Sequence, residues 1–137
     1  MIRALQDAAS RGVDVKLILP SRTDLWAPLY AGRSHYSELL KAGVKVYERR
    51  AVLLHTKTGV IDGVWSTVGS SNLDWRSFLH NDELNAVVLG AEFGAQMEAA
   101  FDQDLADSQR IEPEHWARRS IASHFREWGA RLWEYWL

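Results

Sequence analysis

Residues 53–77, LLHTKTGVIDGVWSTVGSSNLDWRS, place a hairpin signal among chemically active side chains. Asp62-Gly63 is a strong two-residue turn signal, and the flanking runs VLLHTKTGVID and WSTVGSS read as two strands joined by it. In an extended strand, residues two apart point to the same side, so His55 and Lys57 are expected to project together and Thr56 and Thr58 away from them. An imidazole beside an ammonium is a poor metal site, because the lysine repels a cation and no carboxylate cluster accompanies it. The pair suits an anion instead: lysine supplies fixed positive charge, and histidine can act as nucleophile or proton carrier near neutral pH. Gly69-Ser70-Ser71-Asn72 adds backbone N–H groups, hydroxyls and an amide, donors that fit phosphate oxygens.

Working outward, the upstream pattern is helix, strand, helix. IRALQDAASRG carries Ile2, Leu5, Ala8 and Ala9 at helical spacing, with Gly12 where a C-terminal cap belongs. VDVKLILP, ending at Pro20, reads as a buried strand, and Ser21 with Asp24 matches a capping-box pattern. PLYAGRSHYSELLKAG then places Leu29, Tyr36, Leu39 and Leu40 on one face of a helix that runs to Gly43, after which VKVYER alternates as a half-buried strand.

Downstream of the hairpin, ELNAVVLG is expected as a strand and EFGAQMEAAFDQDLADS as a helix with Phe93, Met97, Ala100, Phe101 and Leu105 at the 3.6-residue period. The tail after Pro113 is expected to be helical, with Ile121, Phe125, Trp128, Leu132 and Trp136 on one stripe. Core packing is the expectation for that stripe, since its opposite face mixes Glu127 and Glu134 with Arg126 and Arg131 rather than carrying a cationic excess. Strands interleaved with helices predict an α/β class with a mixed sheet flanked by helices. A single domain over residues 1–137 is expected, with residues 113–137 as a helical tail packed on it.

Composition bounds the function. At 137 residues and 47% apolar letters, the chain can close one core of ordinary size. It has no cysteine, which removes disulfides and thiolate metal sites. No apolar run reaches membrane-spanning length and MIRALQDAASRG lacks the pattern of a signal peptide, so a soluble or at most peripheral chain is expected. Residues 1–57 hold ten Lys/Arg against five Asp/Glu, and residues 58–137 six against thirteen. With a net charge of -2, a broad basic surface for nucleic acid is not expected.

His55, Lys57, Asp62 after four intervening residues, Gly69-Ser70 after six more, and Asn72 together form a pattern that resembles the HKD motif of the phospholipase D superfamily. The resemblance implies that His55 attacks phosphorus to give a phosphohistidine, or acts as the general-acid counterpart. It implies further that Lys57 and Asn72 hold the phosphate oxygens with Ser70 in support, and that no metal or other cofactor is needed. A histidine nucleophile needs its other ring nitrogen held by an acceptor. The family has a glutamate for this in an Asn-x-Glu stretch, and in NDELN, where Asn81, Glu83 and Asn85 alternate, Glu83 is the candidate. Asp62, the motif's own aspartate, stands either as a site residue or as a turn and supporting residue beside Gly63.

A narrower resemblance rests on VGSSNLDWRSFLHNDELNAVV, the upstream LQDAASRGVDVKLILP and a Trp-x-Arg-Arg run at Trp116–Arg119. These are similar to the C-terminal half of the bacterial cardiolipin synthases, and Asp74-x-Arg76-Ser77 favours that branch. The resemblance implies phosphatidyl transfer at the bacterial cytoplasmic membrane: one phosphatidylglycerol gives its phosphatidyl group to the histidine and then to a second phosphatidylglycerol, releasing glycerol. Arg76 is then a candidate for the lipid head group, with an ion pair to Asp74 or Asp82 as the alternative.

The family carries two HKD motifs and N-terminal membrane segments, whereas this chain has one motif, and none of its other four histidines begins a second copy. In-line displacement needs a nucleophile on one side of phosphorus and a proton donor on the other. A second half is therefore expected from a homodimer or from a missing N-terminal half, with peripheral membrane contact. The alternatives are a homodimeric phosphodiesterase or nuclease, against which the charge and Asp74-x-Arg76-Ser77 count, and an inactive phosphate-binding remnant.

Overall fold

A computed structural model describes residues 1–23, 26–50, 53–71 and 82–119, with the backbone alone at 26–28. In chain order the elements are α1 (Ile2–Ser10), β1 (Lys16–Pro20), α2 (Trp26–Ser34), α3 (Tyr36–Lys41), β2 (Lys45–Arg49), β3 (Lys57–Ile61), β4 (Trp65–Gly69), β5 (Asn85–Leu89), α4 (Ala91–Ala106), β6 (Ser108–Arg110) and α5 (Pro113–Ala117). They divide into two compact units, one made of Met1–Leu54 with the chain from Ser108 on, the other of His55–Asp107.

In the first unit the sheet order is β1-β2-β6, with β1 parallel to β2 and β6 antiparallel to it. Both α1 and α3 stop in the same way. The Gly12 and Val13 amides reach back to the Ala9 and Ala8 carbonyls (2.9 and 3.1 Å), and the Gly43 and Val44 amides to Leu40 and Leu39 (3.1 and 3.0 Å). This is the Schellman closure, which satisfies the last helical carbonyls and turns the chain into the next strand. The expected α1 stripe is present: Ile2, Leu5, Ala8 and Ala9 pack against the buried cluster Val15, Tyr36, Leu39, Val44 and Val46. Full burial, as at Val44 and Val46, contributes about 1.5–3 kcal/mol per side chain.

The helix expected to run unbroken to Gly43 is two helices meeting at His35. The His35 amide bonds back only three residues, to Gly32 (3.2 Å), and the Ser34 hydroxyl donates to the Ala31 carbonyl (2.7 Å). Both contacts compete with the regular i to i−4 ladder and tighten the turn. Arg33 and Tyr36, on either side of this break, converge on Glu48. The guanidinium grips the carboxylate with two bonds (2.8 and 2.9 Å) and the phenol donates a third (3.2 Å). Burial works against the Arg33 cation, but the hydrogen bond to Glu48, the Glu48 charge and the nearby Tyr36 and Tyr30 phenols together outweigh it and hold the guanidinium pKa above its ordinary value. Ser21 donates its hydroxyl to the Arg49 carbonyl, which ties the end of β1 to the end of β2. Asp24, its expected capping partner, lies outside the described residues.

Trp116 of α5 stacks at 4.9 Å on the Tyr36 ring, and the Arg119 guanidinium sits 3.2 Å from the Trp116 ring centroid. The first turn of the expected tail is thus helical and packed on this core. The Trp128 and Trp136 stripe lies outside the described residues.

The second unit is an antiparallel meander, β3-β4-β5, with α4 packed on β3 and β4. The Asp62-Gly63 turn stands where expected: φ is 52° at Asp62 and 63° at Gly63, and the Val64 amide closes it on the Ile61 carbonyl at 3.2 Å. Positive φ at both central residues is the type I′ requirement that makes Asp-Gly the favoured pair. Gly94 of α4 lies so close to this turn that a Cβ there would be 1.9 Å from the Gly63 carbonyl oxygen. Among the described residues no helix is long and apolar enough to cross a membrane.

Candidate active site

The strand register decides where the motif residues stand. Lys57, the first residue of β3, pairs with Gly69, the last of β4, and Gly69 pairs with Asn85, the first of β5. The His-x-Lys pair and the Gly-Ser turn, far apart in sequence, therefore meet at one end of one sheet.

His55 itself is not in a strand, contrary to the reading of VLLHTKTGVID as one extended run: β3 begins at Lys57. The cause is the length of its neighbour. β4 ends at Gly69, opposite Lys57, and Ser70 turns instead to β5, so His55 and Thr56 have no ladder to join. A different contact holds the pair, since the Lys57 ammonium donates to the His55 carbonyl at 2.9 Å. His55 is exposed and Lys57 half-buried. Lys57 is the sole lysine or arginine among the described residues of this unit, so the fixed positive charge sits at the histidine end of the sheet.

Ser70 is bound three times to the backbone of Leu84, the residue that leads into β5. Its amide donates to the Leu84 carbonyl (3.0 Å), its hydroxyl accepts from the Leu84 amide (3.1 Å), and the same hydroxyl lies 3.4 Å from the Leu84 carbonyl. Ser71 is held by a side chain: Asn85 Nδ2 donates to Ser71 Oγ (2.7 Å), and the Ser71 amide points to Asn85 Oδ1 (3.4 Å). Glu83 is half-buried two residues before Asn85 at the start of β5, at the same end of the sheet as Lys57. Asp62 is at the other end of β3, five residues and roughly 17 Å along the strand from Lys57, where it shapes the hairpin turn. Asn72 and Arg76 lie outside the described residues. No cluster of three or more metal-ligating side chains occurs among the described residues.

Comparison with known proteins assigns the family and the fold. A family model described as the PLD-like domain of cardiolipin synthase matches residues 1–105. The chain belongs to that family. Relatives of this phospholipase D-like family include a probable cardiolipin synthase, YwiE, of Bacillus subtilis, 37% identical over 129 residues that make up 94% of this chain and 26% of that protein. Cardiolipin synthase A of Salmonella arizonae is 39% identical over 127 residues, 93% of this chain and 26% of its own length. The chain spans about a quarter of the length of these curated relatives. In fold, it is similar to the crystal structure of Nuc, a phospholipase D family member from Salmonella typhimurium. The TM-score is 0.68 at 21% identity, covering 81% of this chain and 72% of Nuc. The mixed α/β class and the phospholipase D-like domain expected from the sequence are thus both present.

The residue whose place in the site the sequence did not reveal is Asn85. Its alternation with Glu83 was visible, but its hold on Ser71 depends on a contact between residues 14 apart in the chain. The available signal was the glycine at position 69, which leaves room on the middle strand for a neighbour's side chain.

Proposed function

We propose that this chain contributes one half of a phosphatidyl-transfer site that joins two phosphatidylglycerols into cardiolipin and glycerol. The supporting observation is the Lys57–Gly69 pairing, which sets an imidazole, a fixed cation and the Gly-Ser turn at one end of a single sheet. In this reading a ring nitrogen of His55 attacks phosphorus of the first phosphatidylglycerol. The N–P bond forms as the P–O bond to glycerol breaks, and a histidine from the second half gives the departing oxygen a proton. A hydroxyl of the second phosphatidylglycerol then loses its proton to that histidine and attacks phosphorus, the P–N bond breaks, and His55 is released.

Lys57 and Asn72 offset charge on the non-bridging oxygens, which is where a preorganised cation and amide lower the barrier most. Ser70 contributes by fixing the turn to β5. Glu83 accepts from the second ring nitrogen of His55, Arg76 meets the lipid head group, and Asp62 acts through the hairpin rather than at phosphorus. No metal or cofactor takes part. The second histidine comes from the rest of a longer protein, since the relatives are about four times as long, or from a second copy of this chain. The whole assembly works at the bacterial cytoplasmic membrane, through peripheral contact on the part of this chain.

The test supplies the chain, alone and with the remaining segment of a full-length relative, with phosphatidylglycerol vesicles and with a soluble phosphodiester. Cardiolipin and glycerol should form in one of the two preparations and vanish in His55→Ala. Cardiolipin made equally well by His55→Ala would overturn the proposal, and turnover of the soluble diester alone would assign the chain to phosphodiester hydrolysis.

A further inference from the structure

Lys57, Gly69 and Asn85 form one row across the three strands, and the middle member has no side chain. A Cβ at position 69 would lie 1.8 Å from Asn85 Oδ1 and 2.6 Å from its Cγ. The Asn85 amide therefore fills the space that a residue on the middle strand would occupy. From there Nδ2 donates to Ser71 Oγ at 2.7 Å, while Oδ1 faces the Ser71 amide at 3.4 Å.

A serine hydroxyl has one hydrogen to give and two lone pairs to receive. With Asn85 occupying a lone pair as donor, the Ser71 hydrogen is left for a different acceptor. We infer that Asn85 is a positioning residue, which turns the Ser71 hydroxyl into a hydrogen-bond donor for a phosphate oxygen bound beside Lys57. The inference rests on the phosphate-transfer reading above and adds Ser71 to its anion-holding groups.

Chemistry at position 85 then has a sign that geometry alone does not predict. Asn85→Asp keeps the shape and the acceptor for the Ser71 amide, but its carboxylate would take the Ser71 hydrogen for itself and place negative charge beside the anion. Asn85→Ala loses both contacts yet leaves the hydroxyl free to rotate. A residue that merely shaped the turn would make the alanine variant the worse of the two. One that directs the hydroxyl makes the aspartate variant worse by more than its charge alone, an excess that disappears when Ser71→Ala removes the hydroxyl.

The probe is dimethyl phosphate, a monoanion that cannot be mistaken for a lipid surface, titrated into the full chain while the NMR signals of His55 and Lys57 are followed. Loss of one hydrogen bond to a charged ligand corresponds to roughly tenfold in affinity. Asn85→Ala should weaken binding by up to about tenfold, and Asn85→Asp by at least about tenfold more. Ser71→Ala should match Asn85→Ala and make the further change Asn85→Ala nearly silent, as coupled neighbours do. This second comparison stands even if the aspartate variant fails to fold. Wild-type binding with Asn85→Asp as tight as Asn85→Ala, or Ser71→Ala without effect, would overturn the inference alone. No binding by the wild type at His55 and Lys57 would overturn the phosphate reading and this inference with it.

Discussion

Replacing Gly94 by alanine sets two effects of known sign against each other. Gly94 is in the first turn of α4, and alanine is favoured over glycine in a helix by about 1 kcal/mol, so propensity alone predicts a more stable protein. The added Cβ, however, would sit 1.9 Å from the Gly63 oxygen, 2.4 Å from the Gly63 carbonyl carbon and 3.0 Å from the Val64 nitrogen. Ordinary contact begins near 3.4 Å, so helix and turn must separate by about 1.5 Å. All three clashing atoms are backbone, with no rotamer to yield. The turn is also tied to the helix, because the Gly90 amide donates to the Val64 carbonyl at 2.9 Å and the Gly94 amide to the Gly90 carbonyl at 3.0 Å. Overpacking costs about 1–3 kcal/mol and the loss of the Gly90 bond about 1 kcal/mol. After the helix gain is offset, Gly94→Ala should destabilise by about 2 kcal/mol. Gly32→Ala in α2 is the matched control: a Cβ there meets nothing within 4 Å, so propensity should act alone and stabilise by about 0.5–1 kcal/mol. Urea unfolding followed by far-UV circular dichroism reads both. If Gly94→Ala unfolds at the same or higher urea than wild type, the close approach of α4 to the turn is wrong.

Two further expectations concern the buried Glu48 network. Burial, and then the neighbouring Glu48 carboxylate, push the Tyr36 phenol far above its ordinary value. The unfolded chain therefore loses this proton near pH 10 while the folded one keeps it. The stabilising contribution is complete below about pH 10 and falls above it, by up to about 1.4 kcal/mol per pH unit; Tyr36→Phe should remove that part of the alkaline slope in chemical denaturation, and an unchanged slope would count against the buried phenol. Arg33→Met leaves the Glu48 carboxylate buried without its cation and should cost about 3 kcal/mol, whereas Arg33→Met with Glu48→Gln should cost less, because the amide is neutral and still accepts from Tyr36; equal losses in thermal melts would show that the buried charge is not what matters.

Much of the fold was legible because period and turn chemistry pointed the same way. The α1 stripe, the Asp62-Gly63 turn and the strands on either side of it stand close to where the letters put them. The errors came where a partner elsewhere in the chain decides. Leu53 and Leu54 extend the apolar run of β3, yet β4 is too short to pair with them and Leu53 remains 56% exposed. β6 is Ser-Gln-Arg, with no hydrophobic pattern, and exists because the edge of β2 offers it a ladder. The helix break at His35 follows from a serine hydroxyl that takes a backbone carbonyl. In the site, spacing alone supplied His55, Lys57 and the Gly-Ser turn. The role of Asn85 required the register across three strands, and no local rule states that register.

During turnover His55 is expected to become covalently bound to a phosphatidyl group. Phosphatidylglycerol labelled at phosphorus, incubated with the chain and its complementary half and quenched in alkali, which the N–P bond survives, should leave label on the peptide containing residue 55. The label should be released as cardiolipin when excess unlabelled phosphatidylglycerol is added, and should be absent from His55→Ala. Cardiolipin synthesis with the label on another histidine, or with no label on any histidine, would contradict the account.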